Sequence, residues 1–302
     1  MNPASGLRTL LAPGNRRAIV LFWLCRLFAA WLVAAPLAAV FAGSGIRSYP
    51  QGDALLFEPG SVLLVEVVRL ELPALVGALR VGLWIALATA VALLFPLVAL
   101  WVSLAAPARL GWGTLAARSI DHVPAFALLG GLSLGAKALF ALVALLFATA
   151  LSGLSSRMSE PTADGTALAL GLATLLGMGA IDLVFDLARA ARIRSGVGAL
   201  AALGVALGVG RRQPLPPALA FYAATGASAG GVLVTAAIVG WLHVERGPAR
   251  FALAALLHLA MSLALVAVRA WWLRRALSCV PAPGDTPADT VAPPDPTPDP
   301  AA

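Results

Sequence analysis

Long apolar runs separated by short polar stretches dominate the sequence, and six of these runs reach about 20 residues or more. A helix needs about 20 predominantly apolar residues to cross the roughly 30 Å hydrocarbon core of a bilayer. The pattern therefore predicts an all-α fold, a polytopic membrane protein with six transmembrane helices in one bundle. The predicted spans are residues 18–42, 81–102, 122–150, 166–188, 218–242 and 251–273.

Two further apolar stretches are too short to cross a bilayer. Residues 62–72 follow a capping Ser61 and carry Glu66 and Arg69 three positions apart, so that both lie on one helix face. This pattern predicts an interfacial helix on the outer surface, and a lid over a substrate site is the alternative. Residues 196–210 are glycine-rich and flanked by arginines, which predicts a second short helix that is interfacial or shallowly re-entrant on the cytoplasmic side.

The two ends of the chain differ from its apolar body. Residues 1–17 form a short arm with three arginines, and residues 276–302 are mostly Pro, Asp, Thr and Ala. Such a tail cannot bury a hydrophobic core and is predicted to be disordered. The predicted organisation is therefore a cytoplasmic arm, a six-helix transmembrane domain over residues 18–275, and a disordered tail.

Composition extends the membrane prediction to the whole chain. Hydrophobic residues make up 60% of it, charged residues only 12%, and the mean hydropathy is +0.91, whereas a soluble domain carries about 25% charged residues. The net charge of +7 does not indicate nucleic-acid binding, because the arginines are scattered between apolar spans and form no patch with aromatic residues. The lipid bilayer is the predicted partner, and a protein partner or a second copy of the chain is left open.

The arginines also predict the orientation of the chain in the membrane. Twelve of them lie on the side that holds both termini, and six lie on the other side, where acidic residues dilute them. Because cytoplasmic loops carry the excess of Lys and Arg, both termini are predicted in the cytoplasm. Lys137 is the only lysine, and Ala, Gly and Pro are abundant, which is typical of a GC-rich bacterial genome. The predicted location is the bacterial cytoplasmic (inner) membrane.

Five charged residues fall inside the predicted spans, namely Arg26, Lys137, Asp182, Asp186 and Arg269. Asp182 and Asp186 are four positions apart and share one helix face, and side chains lean toward the N-terminal end of their own helix. Lys137, about 20 Å into its span and so near the middle of the bilayer, therefore leans toward Asp182 on a helix of opposite direction. These residues are predicted to form a buried polar cluster, either a structural ion-pair cluster or a proton or substrate pathway.

Catalytic signals in the sequence are weak. Ser133 and Ser228 each match Gly-x-Ser-x-Gly, but both lie in continuous apolar helices rather than at a strand–turn–helix elbow, which predicts packing residues. Ser228 and His258 would differ in depth by about 10 Å, too far for a hydrogen bond. The sequence has no Walker A motif, no HExxH motif and no Cys/His metal spacing. No catalytic, cofactor-binding or metal site is therefore predicted, and the chain is predicted not to be an enzyme.

Part of the sequence resembles a known group of membrane proteins. The end of the fourth span, residues 186–190, is followed by a short helix, by Arg-Arg-Gln-Pro at 211–214 and by a fifth span, and a loop from Gly52-Asp53 to Gly60 follows the first span. This order resembles bacterial six-helix integral membrane proteins of unknown function, similar to the membrane domain attached to some glycerophosphodiester phosphodiesterases. The resemblance covers the architecture of residues 18–275 and implies a helical membrane fold without catalytic activity, because the phosphodiesterase domain is not part of the match.

These patterns lead to one main hypothesis and two alternatives. The main hypothesis is an integral membrane protein without catalysis, structural or accessory to a cell-envelope process. The first alternative is a transporter or permease-like protein that uses the buried Lys/Asp cluster, although no repeat relates the first three spans to the last three. The second alternative is an intramembrane enzyme.

Overall fold

The computed structural model describes residues 13–43, 68–155, 159–242 and 247–281, and these ranges are almost entirely helical and contain no strand. Six helical segments among them are long and apolar enough to cross a membrane, and the second of these, Leu72–Ala105, consists of two consecutive helices. The predicted all-α class and the six span-forming helices are confirmed. The helices bounded within these ranges are α1 Pro13–Gly43, α2 Leu72–Ala92, α3 Leu94–Ala105, α4 Trp112–Ser155, α5 Glu160–Ser195, α6 Ala199–Arg212, α7 Leu215–Trp241 and α8 Pro248–Cys279.

Each spanning helix is longer than its predicted span. α4 begins at Trp112, ten residues before the predicted start, α5 continues through Ser195, and α8 through Cys279, four residues into the predicted tail. Hydropathy detects only the apolar part of a helix, whereas backbone hydrogen bonding continues through polar turns outside the bilayer. The predicted outer interfacial helix at 62–72 lies mostly outside the described residues, as do the first twelve residues of the arm and the tail from 282 onward.

A proline divides the second apolar run into two helices. Pro96 has no amide hydrogen and its ring clashes with the carbonyl four residues earlier, that of Ala92. α2 accordingly ends at Ala92, and α3 starts after Leu93, whose amide donates to the Thr89 carbonyl at 2.8 Å. The Thr89 hydroxyl also donates to backbone carbonyls one turn earlier, an interaction that often bends helices.

A glycine ends α5 and starts the turn to α6. Gly196 adopts φ +69°, the left-handed conformation that glycine reaches without a steric penalty, and its amide donates to the Arg192 carbonyl at 3.1 Å. The Arg192 guanidinium donates to the carbonyls of Gly196 and Val197, which holds the turn closed. The short helix predicted at 196–210 is therefore present as α6, and its interfacial position stays a prediction.

Tertiary contacts divide the chain into two units. The first unit comprises Met1–Val123 and Ala223–Trp271. In it α1, α2 and α3 pack together, and eight of the twelve residues of α3 are buried. The Ser103 hydroxyl of α3 donates to Asn15 Oδ1 of α1 at 3.2 Å, and Trp23 Nε1 of α1 donates to Ser262 Oγ of α8 at 2.8 Å.

The second unit comprises Pro124–Tyr222 and Trp272–Ala302. Its core joins α5 to α6, where Ala199, Ala202 and Ala206 form a buried stripe of small side chains on α6. The last turns of α8 belong to the same unit, and Arg194 of α5 donates to the Leu277 carbonyl of α8 at 2.7 Å. The single six-helix bundle stays a prediction, because the described contacts define the packing within each unit.

Candidate functional site

α5 carries two carboxylates on one face inside the second unit. Asp182 and Asp186 are four residues apart, so they lie one helical turn from each other along α5. The glycines and alanines around them, such as Gly179, have small side chains, so side chains of neighbouring helices can approach the α5 backbone closely. The two carboxylates nevertheless have different partners and very different burial.

Asp182 forms an ion pair with the single lysine of the chain. Lys137 Nζ of α4 lies 2.5 Å from Asp182 Oδ1 of α5, and the two side chains are 32% and 37% exposed. The antiparallel directions of α4 and α5 aim both side chains toward the same level, as the sequence suggested. The pair is therefore partly open at the surface of the protein rather than enclosed.

Asp186, in contrast, is completely buried, and both of its oxygens accept hydrogen bonds. Trp272 Nε1 of α8 donates to Oδ2 at 2.8 Å, and Arg189 Nη1, one turn further along α5, donates to Oδ1 at 3.0 Å. A buried carboxylate is stable only when a countercharge and hydrogen bonds replace its hydration. Arg189 supplies the charge and Trp272 supplies the link between α5 and α8.

Aromatic side chains pack around Trp272, the indole donor to this carboxylate. The Phe221 ring of α7 packs edge-on against Trp272, with centroids 5.2 Å apart, and against Tyr222 at 5.3 Å. The Tyr222 hydroxyl donates to the Leu176 carbonyl of α5 at 2.7 Å. Together with the bond to Asp186, these contacts join α5, α7 and α8.

Two glycines of α5 allow rings from neighbouring helices to approach its backbone. A Cβ atom added to Gly179 would lie 2.9 Å from Tyr222 Cε1, and one added to Gly177 would overlap the Phe140 ring of α4. Real Cβ atoms do not come so close to ring carbons, so glycine is required at both positions unless the rings move. The sequence does not identify these rings, because their pairing with the glycines depends on contacts between residues far apart in the chain.

The other two predicted site residues lie in the first unit. Arg26 is exposed on α1, and Arg269 is half-buried on α8, within Coulombic range of Arg26. The structure thus brings Lys137 together with Asp182, places Asp186 with two donors, and places Arg26 near Arg269. Trp272, the neutral donor to Asp186, was missed, and nothing in the sequence distinguishes it from the adjacent Trp271.

The candidate catalytic serine and histidine of the first unit interact with their own helices. The Ser228 hydroxyl donates to the Ala224 carbonyl at 2.8 Å, and His258 Nδ1 lies 2.9 Å from the Ala254 carbonyl oxygen. No hydrogen bond joins Ser228 to His258 among the described residues. Within the residues that the structure describes, no three His, Cys, Asp or Glu side chains lie close enough together to bind a metal ion.

Three cavities have walls that do not include Asp182 or Asp186. One of about 1040 Å³ lies between α4 and the start of α5, and one of about 750 Å³ lies beside α6 and the end of α8. A third, of about 600 Å³, lies among α1, α7 and α8. None of these three is lined by Lys137, Asp182 or Asp186.

Six long apolar helices give the described chain the length and composition of a multi-pass integral membrane protein. Comparison with protein-family models, with curated proteins and with solved structures finds no match. The resemblance to the membrane domain of some glycerophosphodiester phosphodiesterases stays a prediction.

Proposed function

We propose that this chain is a non-enzymatic multi-pass protein of the bacterial cytoplasmic membrane, structural or accessory to a cell-envelope process. The observation that carries the proposal is Asp186, whose carboxylate is fully buried and has both oxygens engaged by Arg189 and Trp272. A transport acid must exchange its partner for a proton, an ion or a substrate that reaches it. A carboxylate enclosed in this way instead fixes the packing of α5 against α8.

The register of the helices supports a structural role for the other charged groups as well. Arg26, Lys137, Asp182 and Arg269 lie 17 to 22 residues from the ends of their helices at Gly43, Ser155, Glu160 and Pro248. At about 1.5 Å per residue this is about 26 to 33 Å, close to the roughly 30 Å hydrocarbon core. We take these four helix ends as the outer boundary of the bilayer, which places each of the four side chains near the inner boundary. On this register we infer that Lys137 is an interfacial residue and not a mid-membrane one.

Other features lie at the same level. α2 has 21 residues, about one bilayer thickness, and the break before α3 falls at its inner end. Tyr222 lies 19 residues from Trp241 in α7, and Trp271 lies 23 residues from Pro248 in α8. Tyr and Trp concentrate at membrane interfaces. On the proposed register, charged and aromatic residues therefore lie near the inner boundary of the bilayer in each unit taken by itself.

An accessory role is supported by apolar side chains on the inner side of this boundary. α6 buries its alanine stripe, while Leu200 and Leu207 on the same helix are 68% and 47% exposed. Such a face fits a contact with another protein or a second copy of the chain. A photo-crosslinking amino acid at Leu200 should give protein adducts in native membranes, whereas one at Leu168, in the apolar part of α5, should give lipid adducts only. Equal results at both positions would remove this support.

The transporter alternative rests on the Lys137–Asp182 pair. Its side chains are about one-third exposed, so a proton or an ion could reach the carboxylate without unfolding the site. Purified protein in liposomes that contain a pH-sensitive dye, driven by a potassium diffusion potential, should show no more proton flux than empty liposomes. A flux that Asp182→Asn abolishes, with the fold retained, would replace the structural proposal by transport.

Orientation has its own test. A reporter fused after Arg275 should report a cytoplasmic location, and one inserted within residues 155–163 should report an external location. The reason is the excess of arginines on the side that holds both termini. An external reporter after Arg275 would overturn the six-span topology and the register built on it.

A further inference from the structure

The first unit contains an apolar groove among α1, α7 and α8, with a volume of about 600 Å³. Ala223, Ala224 and Ala227 of α7 form one wall, and their small side chains leave the space open. α1 contributes Ile19 and Val20, and the wall from α8 extends from Leu263 to Trp271. Eight residues of helix give the groove a length of about 12 Å along α8.

A single charged side chain lies at one end of this groove. Arg16, in the first turns of α1, is the only charged or hydrogen-bonding lining residue apart from the Trp271 indole. Arg16 is exposed, and no hydrogen bond or ion pair engages it among the described residues. α1 and α8 have opposite directions through the membrane, so Arg16 and Trp271 mark the same end of the groove.

The depth of the groove matches one leaflet of a bilayer. Ala227 lies 14 residues from the outer end of α7, about 21 Å, and Arg16 lies 27 residues from the outer end of α1, about 40 Å. The groove therefore extends from the hydrocarbon core to the headgroup layer of the inner leaflet. This depth rests on the register proposed above, whereas the groove and its arginine do not depend on it.

We propose that this groove binds an anionic phospholipid, with an acyl chain between α7 and α8 and the headgroup phosphodiester on Arg16. An apolar slot excludes a soluble anion from most of its surface, and a guanidinium that no described residue engages complements a phosphate with paired hydrogen bonds. Basic pockets between transmembrane helices on the cytoplasmic side are suited to anionic headgroups. The Trp271 indole at the same end fits the interfacial layer.

The test compares the full-length protein in nanodiscs of phosphatidylcholine with and without phosphatidylglycerol. Wild type should melt at a higher temperature with phosphatidylglycerol, and native mass spectrometry should detect one tightly retained phosphatidylglycerol per chain. Arg16→Gln should weaken the binding of this lipid about tenfold, the effect of losing a hydrogen-bonded charge. Arg17→Gln is the matched control, because Arg17 is adjacent and exposed but does not line the groove, and it should behave as wild type.

A second variant tests the acyl-chain part of the groove. Ala227→Trp should fill the groove and reduce phosphatidylglycerol retention while Arg16 is intact, and Arg16→Lys should restore part of the affinity lost in Arg16→Gln. Inorganic phosphate should not raise the melting temperature, since it lacks an acyl chain.

Two results would overturn the proposal. Equal losses of lipid binding in Arg16→Gln and Arg17→Gln would indicate a diffuse basic surface. Unchanged lipid retention in both Arg16→Gln and Ala227→Trp would show that the lipid binds elsewhere. The reporter test of orientation can succeed while this test fails, so the two proposals can be separated.

Discussion

Asp182 and Asp186 are the same residue type one turn apart on α5, yet they occupy opposite environments. The Asp182 side chain is 37% exposed and pairs with one partner, Lys137, while Asp186 is 1% exposed and is held by two donors. The difference arises because α8 covers the second position through Trp272 and leaves the first to α4. On a single face of α5, Asp182 thus forms a partly exposed ion pair, whereas Asp186 is a buried contact that joins α5 to α8.

The first prediction concerns the buried carboxylate, Asp186. Asp186→Ala leaves Arg189 without its carboxylate in a buried site, and removing one partner of a buried pair costs about 3–5 kcal/mol. We expect a large loss of folded protein and of melting temperature in detergent. Asp182→Ala serves as the control and should cost no more than about 1 kcal/mol, since exposed pairs contribute little. Equal losses would show that burial does not distinguish the two acids.

The second prediction removes only the neutral donor. Trp272→Phe retains a ring for the contact with Phe221 but leaves Asp186 Oδ2 without the indole hydrogen, a loss of about 1–3 kcal/mol. Trp271→Phe, at the preceding position and with no hydrogen bond from the indole to a described residue, should cost less. The comparison is made by thermal unfolding of the two variants under identical detergent conditions. A Trp271→Phe variant as unstable as Trp272→Phe would argue against the bond.

The third prediction concerns the close approach beside the two acids. Gly179→Ala places a Cβ 2.9 Å from Tyr222 Cε1, so overpacking should destabilise the protein by about 1–3 kcal/mol. Gly171→Ala on the same helix is the control, because nothing lies within 4 Å of its added Cβ. That change should be neutral or stabilise α5 by up to about 1 kcal/mol, the difference in helix propensity. The stability of both variants is measured by thermal unfolding. A Gly179→Ala variant as stable as wild type would contradict the close approach of the Tyr222 ring to α5.

The fourth prediction concerns the partly exposed ion pair between Lys137 and Asp182. Lys137→Leu should lower folded yield more than Asp182→Asn, with effects near 1 kcal/mol. The lysine left unpaired by Asp182→Asn can extend its long stem to the interface, and Asn retains the volume and polarity of the site. The short Asp182 left unpaired by Lys137→Leu cannot reach as far. Wild-type yields of both variants by fluorescence-detected gel filtration would show that the pair does not contribute.

The smallest effect is expected at Ser228. Among the described residues its hydroxyl bonds only to the Ala224 carbonyl of its own helix, so Ser228→Ala should change stability by less than about 0.5 kcal/mol and leave function unchanged. A fluorophosphonate probe should not label the protein. Covalent labelling of wild type that disappears in Ser228→Ala would instead identify a nucleophile and support the enzyme alternative.

The sequence predicted the spans well but not the ends of the helices. Most of the helices extend beyond the predicted spans, by up to about ten residues, and Leu93 separates two helices inside the second predicted span. The mid-membrane depth of Lys137 stays a prediction. A hydropathy pattern records which residues tolerate lipid, and polar residues that continue a helix into water leave no equally clear mark.

α2 and α3 show what only the tertiary structure decides. Both are strongly apolar and adjacent in the chain, but α2 buries only Ala78 whereas α3 buries eight of its twelve residues. Apolar side chains can be covered by lipid or by protein, and composition does not distinguish the two. The break between them was foreseeable from Pro96, while the burial of α3 depends on helices distant in sequence.

By itself, the sequence determined the all-helical class and the six long apolar segments, because run length and composition are local properties that the bilayer thickness converts directly into helices. It also singled out the charged residues, because ionisable groups in apolar spans are costly and therefore rare. Only the tertiary structure decided that Asp186 is enclosed by Trp272 and Arg189 while Asp182 remains partly exposed with Lys137. Those environments depend on which faces of α4, α5, α7 and α8 meet, and that is set by contacts between residues far apart in the chain.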